Sequence, residues 1–457
     1  MAYPDATIYE LSVEYGIRTI AYEDTDHFKL TRHFLNAGSP SSSSSLPAPE
    51  RGVTKGQAGV YSGAFGGRNL SMIGFDLTQE QKDLRDSVHE FARDVIRPAA
   101  PEYDEKEETP WPIMRQAHEL GLDTYSYPEE YGGGGVSDMV TQMIVTEELT
   151  WGCAGIAIAI SATGLCATAI QQCGTAEQKA KYMPMFCDPK EVVLGAMGLT
   201  EAEAGSDVSA MKTAAKRVEG GYLLNGSKRF ITNGGIADVH VIFATTDPAA
   251  GWGGIQAFVV DKANPGLKAG KKERKMGVRA SHTGEVILED CFVPTENLLG
   301  GERGRGGIGV LKTLESTRPG VGAGALGIAR AAHEYALEYA LQRRTFGKPI
   351  AGHQAIAFKL TDMATEIEAA RLLIWKAAWL ASQAQPFARA ASMAKLKAGD
   401  VAMSVTNDAI QILGGYGYIR DFPVEKWHRD AKIYQIWEGT AEIQRLVIAR
   451  ELTGRAL

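Results

Sequence analysis

The sequence predicts an α+β multidomain protein: an N-terminal all-α domain, a middle β domain of barrel or sandwich-like kind, and a C-terminal four-helix bundle. Three observations carry this. From Phe75 to about Glu191 the apolar residues recur at helical spacing. From about Val192 to residue 300 they alternate with a period of two, and Gly, Thr and Val become more frequent. Beyond 301 the helical spacing returns in Ala-rich stretches. A chain of 457 residues has room for two or three cores, so domains are expected over 75–191, 192–300 and 301–457.

Residues 1–71 read as an appended, low-complexity extension. The first thirty carry Asp5, Glu10, Glu14, Glu23, Asp24 and Asp26 without an apolar core, which argues against a secretory signal or a transit peptide. From Asn36 the composition is that of a flexible Ser/Gly/Pro linker, and Met72 is a candidate start, testable by mass spectrometry of the native protein. The segment "LTQEQKDLRDSVHEFARDVIRP" opens on a capping box, Thr78 to Gln81, and places Leu84, Val88, Phe91 and Val95 on one helical face. Helical segments continue to "TAEQKAKYMPMF", broken at "EEYGGGG". In the β region, Asn225-Gly226 within "GYLLNGSKRFIT" predicts a hairpin turn, and "VHVIFATT", "IQAFVVDK" and "GEVILEDCFV" predict further strands. "GGERGRGGIG" reads as a linker. The long helices that follow have small faces, which predicts tight packing and an oligomer interface.

Composition excludes several classes. A net charge of -7 without a Lys/Arg block argues against nucleic-acid binding. Five cysteines without a Cys-x-x-Cys pair suggest neither a disulfide framework nor structural zinc, and fit a reducing cytoplasm. No apolar run reaches the ~18 residues of a membrane span. There is no GK[ST] loop, HExxH helix or GxSxG elbow. "GAGALG", Gly322 to Gly327, matches the dinucleotide fingerprint in letters, but no strand precedes it and helix packing explains its glycines. The nine histidines, His428 included, read as structural.

Four stretches carry candidate chemistry. In "RDAKIYQIWEGTAEIQRLVIAR", Glu438 stands among Ile433, Ile436 and Trp437, just before Gly439 and the N-cap Thr440, with Glu442 in the next first turn. It reads either as a carboxylate whose burial raises its pKa toward that of a general base, or as a solvent-facing helix-terminal glutamate. "GLTEAEAGSDVSA", Gly198 to Ala210, concentrates Thr200, Ser206 and backbone N–H groups, as a polar-ligand grip or an ordinary loop would. "RRTFG", Arg343 to Gly347, ends a long helix with positive charge, which the helix dipole would also favour. "QILGGYGYIRDFPVEKWHRD", Gln411 to Asp430, breaks a helix at paired glycines, either for a ligand or for a plain turn.

Taken together with "HQA" at His353 to Ala355, these stretches resemble the acyl-CoA dehydrogenase family, of short- or medium-chain-like type, from about Phe75 to the C-terminus. One departure is Ala202-Glu203, where the family commonly has Pro-Gly. The resemblance implies an FAD flavoprotein that dehydrogenates an acyl-CoA thioester to its trans-2-enoyl product and passes electrons to an electron-transferring flavoprotein. Glu438 matches the base that removes the α-proton as the β-hydrogen leaves as hydride, with its backbone N–H and a flavin ribityl hydroxyl stabilising the thioester oxygen. Some members carry the base at the position of Thr317, which cannot serve. Arg318, Glu315, Ser206 and Gly439 match substrate-side positions. Thr200, Ser206, Ile231, Thr232, Arg343, Thr345, Phe346, Gln354, Gln411, Gly414, Gly415, Thr440 and Glu442 match positions around FAD, several of them reached across a subunit boundary. A homotetramer in a bacterial-type cytoplasm is the expected setting. An oxygen-using acyl-CoA oxidase and a non-catalytic flavin or CoA binder of the same fold are the alternatives.

Overall fold

A computed structural model describes residues 76–301 and 306–455. The extension, the Met72 start and residues 302–305 of the linker lie outside the described residues. Helix α1, Gln79–Phe91, opens on the Thr78–Gln81 capping box and passes through a π-helical turn, Ala92–Ile96, into α2, Arg97–Lys106. After α3, Trp111–Glu119, come α4, Met139–Gly152, α5, Ala154–Ser161, α6, Thr163–Cys173, and α7, Ala176–Phe186. Val88 and Phe91 of the predicted face are buried, while Leu84 and Val95 pack at its edge.

The stretch Ala154–Cys173 corrects one expectation. At 20 residues it does meet the length and apolarity of a membrane span. It breaks at Ala162, between α5 and α6, and two thirds of it is buried against the rest of the fold, as core helices are.

One seven-stranded sheet follows: β1 Gly195–Gly198, β2 Ala214–Val218, β3 Gly221–Thr232, β4 Val239–Thr245, β5 Ile255–Asp261, β6 Leu267–Lys272 and β7 Thr283–Pro294. The order is β1-β4-β2-β3-β7-β6, with β5 antiparallel to β4. The predicted strands in "VHVIFATT", "IQAFVVDK" and "GEVILEDCFV" are β4, β5 and β7. The Asn225-Gly226 hairpin is not formed. Those residues lie inside β3 at a bulge against β7, where the Asn225 amide bonds Asp290 and a Cβ on Gly226 would fall 2.6 Å from the Thr213 hydroxyl. The chain reverses instead at Glu219-Gly220, with Gly220 at φ 76° and Val218 paired to Gly221.

The C-terminal bundle is built on α8, Gly306–Gln342, which begins inside the stretch read as a linker. It packs along α9, Gln354–Ser382, and α10, Ala388–Leu413, with α11, Val424–Ala431, and α12, Ala441–Thr453, closing the chain. The glycines of "GAGALG" serve this packing. A Cβ on Gly327 would lie 2.2 Å from the Thr150 hydroxyl oxygen of α4, and one on Gly324 would lie 2.9 Å from the Tyr434 ring. Between α8 and α9 a two-stranded ribbon, β8 Arg344–Thr345 and β9 Lys348–Pro349, turns at Phe346-Gly347, both at positive φ.

Candidate active site

The predicted site residues fall into three groups, and no hydrogen bond joins one group to another among the described residues. The first surrounds Glu438. A 3-10 turn, Lys432–Gln435, follows α11, and the chain then bends through two left-handed residues, Glu438 at φ 49° and Gly439 at φ 89°. A non-glycine residue costs about 1 kcal/mol or more in that region, so the surrounding contacts must hold the turn. The Thr440 hydroxyl accepts from the Ile443 N–H at 3.3 Å as the N-cap of α12, as the sequence predicts, and Glu442 stands exposed in the first turn.

The carboxylate itself accepts a hydrogen bond at Oε2 from the Thr317 hydroxyl of α8, 2.6 Å away. Burial raises the Glu438 pKa above the usual carboxylate range, while the Thr317 bond and the positive charges of Lys395 and Arg318 oppose that rise. The Glu438 side chain is half-buried, between the buried and the solvent-facing readings. The apolar neighbours in sequence are not what buries it, however. Ile436 is half exposed, and Trp437 packs edge-on against Tyr434 at 5.0 Å. Thr317 and Arg318 of α8 and Lys395 of α10 act on the carboxyl, which sequence spacing cannot show. Arg318 is buried, places Nη1 3.4 Å from the Ser392 hydroxyl, and leaves Nε without a partner. Glu315 is half-buried one turn earlier on α8.

The second group lines the end of β1 and β3. Thr200 is fixed between two residues that a buried cation holds. The Lys228 ammonium donates to the Leu199 carbonyl at 3.2 Å and to Glu201 at 2.7 Å. Glu201 also accepts from the Lys212 and Thr213 N–H groups. Burial opposes its ionisation, but Lys228 and these donors hold its pKa below the ordinary value. Thr200 and Thr232 are half-buried, and their hydroxyls bond no group among the described residues, while Ile231 is buried and Ser206 is exposed. The Ala202-Glu203 departure lies at the exposed tip of this loop, where Glu203 pairs with Lys212. Neither Lys228 nor Phe230 was singled out from sequence. Phe230 is 60% exposed at φ 59° in mid-strand, and an aromatic displayed at such conformational cost is suited to covering a planar ligand.

The third group surrounds a cavity of about 420 Å³ at the far end of the bundle, lined by Tyr339, Arg343, Thr345, Gly414, Gly415 and Tyr416, among others. Helix α10 ends at Leu413, and Gly414 follows at φ 62°. Added Cβ atoms on Gly414 and Gly415 would meet nothing within 4 Å, whereas one on Gly417 would strike the Ile410 carbonyl at 2.5 Å. The first two glycines therefore keep space open, and Gly417 serves packing. Phe346 is 95% exposed, and Gln354 and Gln411 are also exposed.

These features fit FAD. The unengaged Thr200 and Thr232 hydroxyls offer hydrogen bonds to a polar ring edge. Arg343 and the open Gly414-Gly415 backbone offer charge and N–H groups to a pyrophosphate or adenosine. Among the described residues no cluster of His, Cys, Asp or Glu could hold a metal ion.

Comparison with known proteins agrees. Family models for the N-terminal, middle and C-terminal domains of acyl-CoA dehydrogenase match residues 78–190, 196–291 and 304–453. The short-chain-specific acyl-CoA dehydrogenase of Clostridium acetobutylicum is 44% identical over 379 residues, 83% of this chain and 99% of that protein. The butyryl-CoA dehydrogenase structure from Megasphaera elsdenii superposes with a TM-score of 0.80 at 44% identity, covering 83% of this chain and 100% of that one. The FAD complex of PigA superposes with a TM-score of 0.79 at 30% identity, covering 83% and 99%.

Proposed function

The chain belongs to the acyl-CoA dehydrogenase family, an FAD-dependent oxidoreductase family, and from that premise we propose that Glu438 is the base that takes the α-proton of a short acyl-CoA thioester. The observation that carries this reading is the half-buried Glu438 side chain, whose carboxyl is desolvated enough to raise its pKa and is held at one oxygen by Thr317. Among the described residues Oε1 receives no hydrogen bond, and it is the atom that accepts the proton. The Glu438 backbone N–H donates to no group among the described residues, and it is the donor that would stabilise the thioester oxygen as negative charge develops there. FAD, when bound, supplies the acceptor for the electron pair that leaves the β-carbon. Thr200, Ser206, Ile231 and Thr232 would hold it from the β domain. Arg343, Thr345, Phe346, Gln354, Gln411, Gly414 and Gly415 would hold it from the bundle, and Thr440 and Glu442 from the turn beside the base. Glu315, Arg318, Ser206 and Gly439 would line the thioester path.

The support for a short acyl group is the identity to a short-chain-specific relative and to a butyryl-CoA dehydrogenase. We further propose that an electron-transferring flavoprotein reoxidises the enzyme. The Glu438→Gln variant should keep its yellow FAD absorbance and lose anaerobic flavin bleaching by butyryl-CoA by about 10²- to 10⁴-fold. Bleaching at the wild-type rate would overturn the assignment. Stoichiometric peroxide during turnover in air would replace the flavoprotein acceptor by oxygen.

A further inference from the structure

We propose that Lys395 is a positioning residue for the base, its buried ammonium pinning the Glu438-Gly439 turn through the Gly439 carbonyl. This rests on the reading of Glu438 given above. Lys395 lies on the inner face of α10, in the stripe Ala391, Ser392, Ala394, Lys395, Ala398, Gly399 and Ala402, and is 1% exposed. Its Nζ donates to the Gly439 carbonyl at 2.7 Å, and the Gln444 amide donates to the same oxygen at 2.9 Å. No carboxylate forms an ion pair with it among the described residues. A desolvated cation spent on one backbone carbonyl is costly and needs a reason.

The reason lies in the turn. Glu438 and Gly439 are consecutive left-handed residues, and relaxation of either would swing the carboxylate away from Thr317. The carbonyl between Gly439 and Thr440 is the point at which α10 can hold that conformation from outside. A side chain cannot do so from within the turn, because a Cβ on Gly439 would fall 2.7 Å from the Gln444 amide. The same ammonium also acts on the carboxylate at a distance, favouring its ionised form. The charged groups that face Lys395 are Glu438 from the turn, Arg318 from α8, Glu442 from α12 and Asp400 on its own helix. Burial lowers its pKa to about 8, so the cation is present at neutral pH and lost in the alkaline range.

The experiment measures anaerobic flavin bleaching by butyryl-CoA against pH for the wild-type holoenzyme, Lys395→Met and Lys395→Arg, with FAD content determined for each. Loss of the cation disfavours the Glu438 carboxylate. Lys395→Met should therefore bleach at least about tenfold more slowly at pH 7 and move its acid limb up by about one unit. Lys395→Arg should keep the wild-type acid limb. A Lys395→Met enzyme with wild-type rate and acid limb overturns the proposal. Should Lys395→Met fail to retain FAD, the alkaline side decides. The wild-type rate should fall as pH rises through about 8, and Lys395→Arg, which stays charged, should move that fall upward. An unmoved alkaline fall overturns the proposal. Glu438→Gln run alongside separates the two claims: if it bleaches normally, the base assignment fails, whatever Lys395 does.

Discussion

At the scale of single residues, the site turns on the environment of one carboxyl group. Desolvation pushes the Glu438 pKa up, and a hydroxyl and two cations push it back, so the acid should titrate above the ordinary glutamate range. Only the ionised form can accept a proton, so bleaching should rise with pH through that pKa and be lost below it. The Thr317 hydroxyl favours the ionised form, and Thr317→Val should therefore shift the acid limb upward, by about half a unit to one unit, with FAD content unchanged. A limb that stays in place or moves downward would show that the 2.6 Å bond does not tune the base. The sequence pointed to Glu438 through its apolar neighbours, and those neighbours account for its surroundings only in part. Ile436 is half exposed, and the groups that act on the carboxyl stand on helices far away in the chain. Lys395 had a legible signal, a lysine in register with a small apolar stripe, but only the fold supplies the carbonyl it meets.

At the scale of elements, local rules held where local forces decide and failed where a partner strand or helix decides. The capping box at Thr78 and the N-cap at Thr440 formed as predicted, because side chain and backbone donor lie within one turn of each other. Asn225-Gly226 did not make a hairpin, because β7 pairs along the full length of β3 and the Asn225 amide engages Asp290. "GAGALG" lost its nucleotide reading by the same logic, since its glycines admit α4 and the Tyr434 ring. Gly327→Ala would push a methyl group to 2.2 Å from the Thr150 oxygen and 2.4 Å from the Glu147 carbonyl. The helices must part, and the expected cost is about 1–3 kcal/mol, read as a lowered urea midpoint with an unchanged m-value. An unaltered midpoint would mean that α4 and α8 are not in tight register there.

At the scale of the whole molecule, the exposed ligand-contact candidates are the informative feature. Phe346 is 95% exposed and Tyr418 85%, with Phe358, Leu341 and Tyr416 also exposed on the bundle. We propose that these exposed side chains serve the homotetramer that the family resemblance implies, in which one protomer's Arg343 and Phe346 would reach another's FAD. Light scattering should give about four times 49.2 kDa for the full chain, and Phe346→Ala should lose FAD on dilution more readily than wild type. A monomeric, FAD-retaining protein would contradict this assembly. The sequence by itself determined the helical, β and helical order of the described chain and singled out Glu438 as the candidate base, because periodicity and short motifs are properties of neighbours along the chain. Only the tertiary structure decided the surroundings of that carboxyl: Thr317 and Arg318 of α8 and Lys395 of α10 act on Glu438, and desolvation depends on which elements distant in sequence meet at a group.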